Sequence, residues 1–326
     1  MLNKLAASLL IGLAMLVPAA FAQVTVNISE GVLKPTPIAV PTFNVSNGAD
    51  EQLAAEITKV VQNDLVSTGL FTITPESAHI QRDLSIDNQP RFADWRIIDT
   101  ESLGIGEVEI MDDGRMRVAF RLWDTAQEQE HLLSGRRGRQ YVTTSENLRR
   151  VAHVLADDIY TSLTGDEGYF DSRIVFIAES GPRTARVKRL AIMDQDGANP
   201  EFLTNEKHLV LTPRFSPTAQ TITYMTYESN RPQVYLFDIN TGRSESLGQF
   251  DGMTYAPRFS PDGQNVVFTQ EINGNSELYI LNLTRRETTR RGVLTESMLL
   301  SVSPSGSTSS LTAAKARRCP SCSSVS

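Results

Sequence analysis

From position 53 onward, apolar residues recur at the spacing of one helix face: Leu53, Ile57, Val60, Val61 and Leu65, with Gly69 just beyond to end the helix. A second run of the same kind, Leu148, Val151, Val154, Leu155, Ile159 and Leu163, follows Ser145 as the predicted N-cap and stops at Gly165. Between the two the period changes to two. The stretch GEVEIMDDGRMRVAFRLWDT alternates apolar and polar residues on both sides of Asp112-Asp113-Gly114, the pattern of a β-hairpin. GLFTIT at residues 69–74 reads as a strand stopped by Pro75. Residues 35–165 are therefore expected to form one small α/β domain with both helices on one face of a sheet.

Past residue 170 the strand period persists and the chain begins to repeat. PRFSPTAQTITY at 213–224 returns 44 positions later as PRFSPDGQNVVF at 257–268, and VYLFD at 234–238 returns as LYILN at 278–282. An earlier, degraded copy is visible in RIVFIAES at 173–180 and LAIMDQDG at 190–197, with Asp194 standing 44 residues before Asp238. Repetition at about 40–45 residues with short strands is the mark of β-propeller blades. Within each copy the polar residues serve the turn: Pro261 fixes φ, Asp262 accepts from the backbone and Gly263 takes positive φ, while Asn240-Thr241-Gly242 and Asp196-Gly197 do the same between outer strands. Each phrase then reads as a tight turn followed by the inner strand of a blade. The expected fold class is α+β in two domains: the small N-terminal α/β domain, then an incomplete, truncated β-propeller of WD40-like blades, about three of them, over 170–290.

The ends need separate treatment. Residues 1–22 carry Lys4, an apolar run from Leu5 to Val17, and small residues at Ala20 and Ala22 before Gln23, which predicts a secretory signal peptide cleaved between Ala22 and Gln23. The run falls short of the roughly 20 residues of a spanning helix, and no cysteine follows the cleavage point to take a lipid. An exported, soluble mature chain without membrane insertion is expected. Its only cysteines, Cys319 and Cys322, supply no disulfide framework and have no second pair or nearby histidine for zinc.

Charge and motifs narrow the chemistry. A net charge of −7 argues against a nucleic-acid surface, and the main basic cluster, Arg136, Arg137 and Arg139, reads as a solvated strand face. GIGEVE at 104–109 lacks the third glycine of a dinucleotide fingerprint and leads into a strand. His79, His131, His153 and His208 are scattered, with His153 read as a satisfied boundary histidine, and Asp157 and Asp158 point apart on their helix. DQDG lacks the remaining ligands of a calcium loop, and no Gly-x-Ser-x-Gly is present. No catalytic, metal or cofactor residues are expected. Alternatives are a fragment of a propeller-bearing secreted peptidase or a propeller that binds a small ligand.

A signal peptide, a small α/β domain and then blades carrying Pro-x-Phe-Ser-Pro-Asp-Gly and Leu-Tyr-Ile-Leu-Asn resemble the TolB family, the periplasmic component of the Tol-Pal system, over residues 1–290. The resemblance implies a monomeric, non-enzymatic periplasmic adaptor with no cofactor and a six-bladed propeller. It implies that one propeller face receives the peptidoglycan-associated lipoprotein Pal, that the mature N-terminal segment engages TolA, and that the role lies in envelope integrity and constriction during cell division. On this chain the TolA-type segment is 23–34, where Val24, Val26 and Ile28 alternate with polar residues and can add as a strand to a partner's sheet, or equally serve as a strand of their own domain. The Pal-facing candidates are His208, Leu209 and Thr212 before Pro213, and Met253, Thr254 and Tyr255 before Pro257, expected in loops ahead of each inner strand; packing between blades is the other reading of Met253 and Tyr255.

The pattern then breaks. A further Ser-Pro-Asp-Gly is due near 304, but residues 291–326 lack strand alternation. Read two bases out of frame, 307–312 can spell Asn-Ile-Val-Phe-Asn, so the expectation is a frameshifted fourth blade. A ring left open at that point exposes apolar blade faces that favour association.

Overall fold

The structure, a computed structural model, describes residues 34–293 except 206 and 229, together with the backbone of 314–317. The signal peptide, its Ala22/Gln23 cleavage point, the strip of Val24, Val26 and Ile28, and Cys319 and Cys322 lie outside the described residues.

The first helix, α1 (Glu51–Ser67), begins where Asp50 accepts a hydrogen bond from the Gln52 backbone N–H at 2.8 Å, which satisfies one free amide of the first turn. It buries Ala54, Ile57, Val60, Val61 and Leu65. A short helix, α2 (Phe92–Ile97), follows. The long helix α3 (Leu148–Thr164) ends at Gly165 in the left-handed region at φ 79°, whose N–H reaches Thr161 O at 2.9 Å. Ser145 does not cap it. The chain instead enters through a 3-10 turn (Ser145–Asn147), which leaves Asn147 at the cap position without a side-chain bond.

These helices cover a mixed sheet. Its strands are β1 (Thr36–Ala39), β2 (Asn44–Ser46), β3 (Phe71–Ile73), β4 (Ser102–Ile110), β5 (Met116–Asp124), β6 (Gln129–Glu130) and β9 (Arg139–Thr143); β7 (Leu132–Leu133) and β8 (Arg136–Arg137) form a separate ribbon. β1 runs parallel to β3 and β4, β2 runs parallel to β4, and the expected hairpin is β4 against β5. Because successive strand residues face opposite sides, Ile38, Val108, Val118, Phe120 and Leu122 join the core beneath α1 and α3. Ala39, Leu103, Ile105 and Trp123 face the other way and pack with Phe92 and Trp95 of α2. Both long helices therefore share one face, as the periodicity predicts, and α2 covers part of the other.

The Gly-x-Gly of GIGEVE is a packing device. A Cβ on Gly104 would lie 2.5 Å from the Phe120 ring, and one on Gly106 would meet the face of the Phe43 ring. These two rings pack 5.7 Å apart between centroids, so the glycines let them approach β4.

Among the described residues, the blade region forms three antiparallel sheets of four strands. The second contains β13 (Val210–Phe215), β14 (Thr221–Thr226), β15 (Gln233–Asp238) and β16 (Arg243–Ser246), and the third contains β17 (Met253–Phe259), β18 (Asn265–Ile272), β19 (Asn275–Asn282) and β20 (Thr288–Val293). The first contains β10 (Ser172–Ser180), β11 (Val187–Asp194), β12 (Glu201–Phe202) and β21 (Ala314–Arg317). β13 contacts both β17 and β21, so the first strand of each repeat is innermost. This corrects the sequence reading. The repeated phrase is the end of the innermost strand, the tight turn and the second strand, because the register pairs Phe215 with Ile222 and Phe259 with Val266.

The first sheet has its own second to fourth strands but takes its innermost strand from the far tail, with Ser172 opposite Arg317 and Val175 opposite Ala314. Sequence pattern denies strand structure to residues 291–326, yet β20 extends to Val293 and four tail residues form β21. An open strand edge recruits backbone N–H and C=O groups, for which side-chain alternation is not required. The cores lie between sheets, as a blade that cannot bury both faces alone requires. Val175, Leu190 and Ile192 meet Val210, Phe215, Ile222 and Phe237, and then Val234 and Leu236 meet Val266, Phe268 and Leu281.

Candidate functional site

The residues ahead of β13 and β17 lie at one end of the innermost strands. His208 lines a cleft of about 350 Å³ with Lys207, Tyr224, Thr226 and Glu228, and Leu209 stands beside it with 40% of its surface exposed. Thr212 does not belong to the loop: it lies within β13, exposed, at a left-handed φ of 47°. Met253, Thr254 and Tyr255 are likewise the opening residues of β17, paired with Glu271, Gln270 and Thr269. Both strands start earlier than the sequence suggests, since the pairing resumes upstream of a register shift in each.

Their environments separate these candidates. Thr254 is buried at 2% exposure, its Oγ1 accepts from Val234 N–H at 2.9 Å, and its own N–H donates to Pro232 O at 2.9 Å. It joins the second sheet to the third and is not available to a partner. The Tyr255 hydroxyl lies 2.9 Å from Ser276 Oγ, and Met253 and Tyr255 are both half-buried. His208 is half-buried like Met253 and Tyr255, and Leu209 is the exposed apolar residue among these candidates.

A second cluster lies where the α/β domain meets the first blade. His153, on α3, has 1% of its surface exposed, and its Nδ1 donates to Asp64 Oδ2 of α1 at 2.6 Å. Asp64 Oδ1 accepts from Gln195 Nε2 at 3.1 Å in the turn after β11, and Arg149 pairs with Asp196 and lies 3.7 Å from Asp194 Oδ2. Burial pushes the Asp64 carboxyl above its ordinary value; the bond and charge of His153 oppose this, and the Asp196 charge adds to it. The boundary reading of His153 is thus corrected. The ring is fully buried, and its Nε2 makes no hydrogen bond among the described residues while facing Asp196 Oδ2 at 4.0 Å.

Asp64, His153 and Asp196 each offer a donor atom within 4.8 Å of the others, close enough for a metal ion. The Arg149 guanidinium on Asp196 places a cation where the metal would bind. The cluster is better matched to docking: charged groups of α1 and α3 grip the Asp194–Gly197 turn. That turn has the expected form, with Gly197 at φ 88° and its N–H on Asp194 O at 3.0 Å.

The remaining polar residues hold the domain together. Arg136 and Arg137 are exposed as expected, but Arg139 turns inward to Asp158 Oδ2 at 2.7 Å, which also receives the Tyr141 hydroxyl. Asp157 points elsewhere and accepts from the Phe170 and Asp171 N–H groups at 2.6 and 3.0 Å. His79 packs on Trp95 at 4.9 Å between centroids, and burial holds it below its ordinary value.

Comparison with known proteins adds to this geometry. Residues 24–131 match the TolB amino-terminal domain and residues 160–310 match the TolB beta propeller domain. Among solved structures, TolB from Acinetobacter baumannii is 30% identical with a TM-score of 0.67 over 79% of this chain. The match takes in 60% of that protein, so this chain spans less than two thirds of its length. A putative TolB from Agrobacterium tumefaciens is 14% identical with a TM-score of 0.33, over 57% of this chain and 64% of that one.

Proposed function

The chain is a TolB-like protein, an amino-terminal TolB domain ahead of a TolB-type propeller region, and from this premise we propose that it is a non-enzymatic periplasmic adaptor of the Tol-Pal system. In this reading Pal docks on the end of the blades that carries His208 and Leu209, while residues 23–34 add as a strand to TolA. The observation that carries it is the order of the two matched domains combined with the exposed Leu209 beside the cleft lined by His208. Among the described residues no helix is long and apolar enough to cross a membrane. Export then rests on the signal-peptide pattern of residues 1–22.

The decisive experiment is calorimetric titration of the purified chain with Pal and, separately, with the TolA domain. Replacing Leu209→Asp should weaken Pal at least about tenfold without touching TolA. Deleting residues 23–34 should have the opposite pattern. A folded chain that binds neither protein would sink the adaptor reading.

A further inference from the structure

The repeated phrase carries one side chain that neither turn chemistry nor packing explains. Pro-Arg-Phe stands at 213–215 and again at 257–259, so Arg214 and Arg258 occupy equivalent places on the neighbouring innermost strands β13 and β17. In each strand the register slips immediately before the arginine, between Leu211 and Arg214 and between Tyr255 and Arg258. Each slip holds a non-glycine residue in the left-handed region, Thr212 at φ 47° and Ala256 at φ 54°. That conformation crowds Cβ against the following carbonyl, and a bulge re-aims the side chains beside it. The same disfavoured geometry, found twice in register, connects the strain to the arginine that follows.

Arg214 is half-buried and Arg258 exposed on strands that contact each other, and no acidic side chain pairs with either among the described residues. Arg214 Nη1 donates to Pro213 O at 3.0 Å, while its Nε is buried and makes no hydrogen bond among the described residues. Burial and then the Arg258 charge hold Arg214 below its ordinary value. Among the described residues neither arginine has an ion pair, whereas Arg186, Arg286 and Arg290 elsewhere in the blades pair with Glu179, Glu245 and Glu277. Acidic residues outnumber Lys and Arg by 38 to 31 in the chain, so the deficit at this place is local.

We propose that Arg214 and Arg258 form an oxyanion-binding site on the inner strands of the blade region, taking a carboxylate or a phosphate group between their guanidinium forks. Arginine matches both groups with paired N–H donors and keeps its charge across the accessible pH range. A bound anion supplies the missing counter-charge and a partner for the Arg214 Nε. The site is distinct from the His208 and Leu209 surface of the Pal assignment, because it lies within β13 and β17 and not in the loop ahead of β13.

The test is the unfolding midpoint of the full chain in chloride, citrate and phosphate at matched ionic strength, with Arg214→Gln, Arg258→Gln, the double variant and the exposed control Arg183→Gln. The wild type and the control should show a saturable rise, roughly 5–10 °C at a hundredfold excess over Kd. Each single variant should weaken the anion at least about tenfold, and the double variant should retain only the non-saturating rise that excluded salts give any protein. Saturation by citrate alone assigns a carboxylate, and saturation by phosphate alone assigns a phosphate. In chloride the double variant should melt no lower than the wild type, since a repulsion has been removed. The proposal is overturned by a linear response shared by the wild type and the double variant, or by a double variant that is markedly less stable in chloride.

Discussion

In the α/β domain, residues as distant as Ile38, Phe120 and Phe170 enter one large cluster beneath two long helices, and a smaller cluster packs under α2 on the opposite face of the same sheet. In the blade region the apolar residues are divided between two smaller clusters, each shared by adjacent sheets. The first arrangement ties both clusters to the two faces of one shared sheet. The second resembles a solenoid, in which each sheet depends on its immediate neighbours. A chain assembled this way should lose the α/β domain all at once and the blades piecewise, and the Asp64, His153 and Arg149 cluster is where the two behaviours are coupled.

The largest expected effect comes from Phe120→Ala. Phe120 is fully buried, and its loss should cost about 3–5 kcal/mol, with amide protection lowered throughout residues 35–165. Phe268→Ala should cost a similar amount yet lower protection only in the second and third sheets. Hydrogen exchange read by mass spectrometry compares the two, and a purely local effect of Phe120→Ala would break the contrast. Next is His153→Ala, which leaves Asp64 buried without its main partner and should cost about 3 kcal/mol. Calorimetry should show the blade transition separating from that of the α/β domain, and a single undivided transition would mean that docking rests on other contacts.

Gly106→Ala should cost about 1–3 kcal/mol by driving a Cβ into the Phe43 ring, measured by urea unfolding; a neutral result would show that Phe43 can move aside. The smallest effect is acid dependence at Glu76. Its carboxylate accepts from Thr42 Oγ1 at 2.7 Å and from Thr42 N–H at 2.9 Å, and these bonds hold it below its ordinary value. The folded form binds its proton less readily than the unfolded form. Glu76 therefore contributes stability above its ordinary value and loses it as pH falls through the lowered one. Thr42→Ala should flatten that part of the stability profile by less than about 1 kcal/mol, because the pair is exposed. An unchanged profile would remove Glu76 from the acid response.

Local features were legible in advance. The helix of residues 51–67, the hairpin at 110–116 and the tight turn at Gly263 each depend on residues within one turn or one strand of each other. The shorter α2 escaped notice because six residues cannot display helical periodicity. His153 and Asp64 are 89 residues apart, and nothing near either one signals the other. The partner-facing candidates were half legible: the repeat located Thr254 near the start of its unit, in an expected loop, but only the packed sheets reveal that it lies in the innermost strand with its hydroxyl occupied by Val234 N–H.

By itself the sequence determined the α/β character of the front domain, the 44-residue repeat and the turns that close each hairpin, since periodicity and turn chemistry act between near neighbours. Tertiary structure decided which strand of each repeat is innermost, that β21 completes the first sheet, and that a buried charge cluster joins the domains. It also placed two repeat-equivalent arginines on contacting innermost strands, neither with an ion pair among the described residues. Such outcomes depend on which distant surfaces meet, and their stabilities arise from burial and charge that no window along the chain contains.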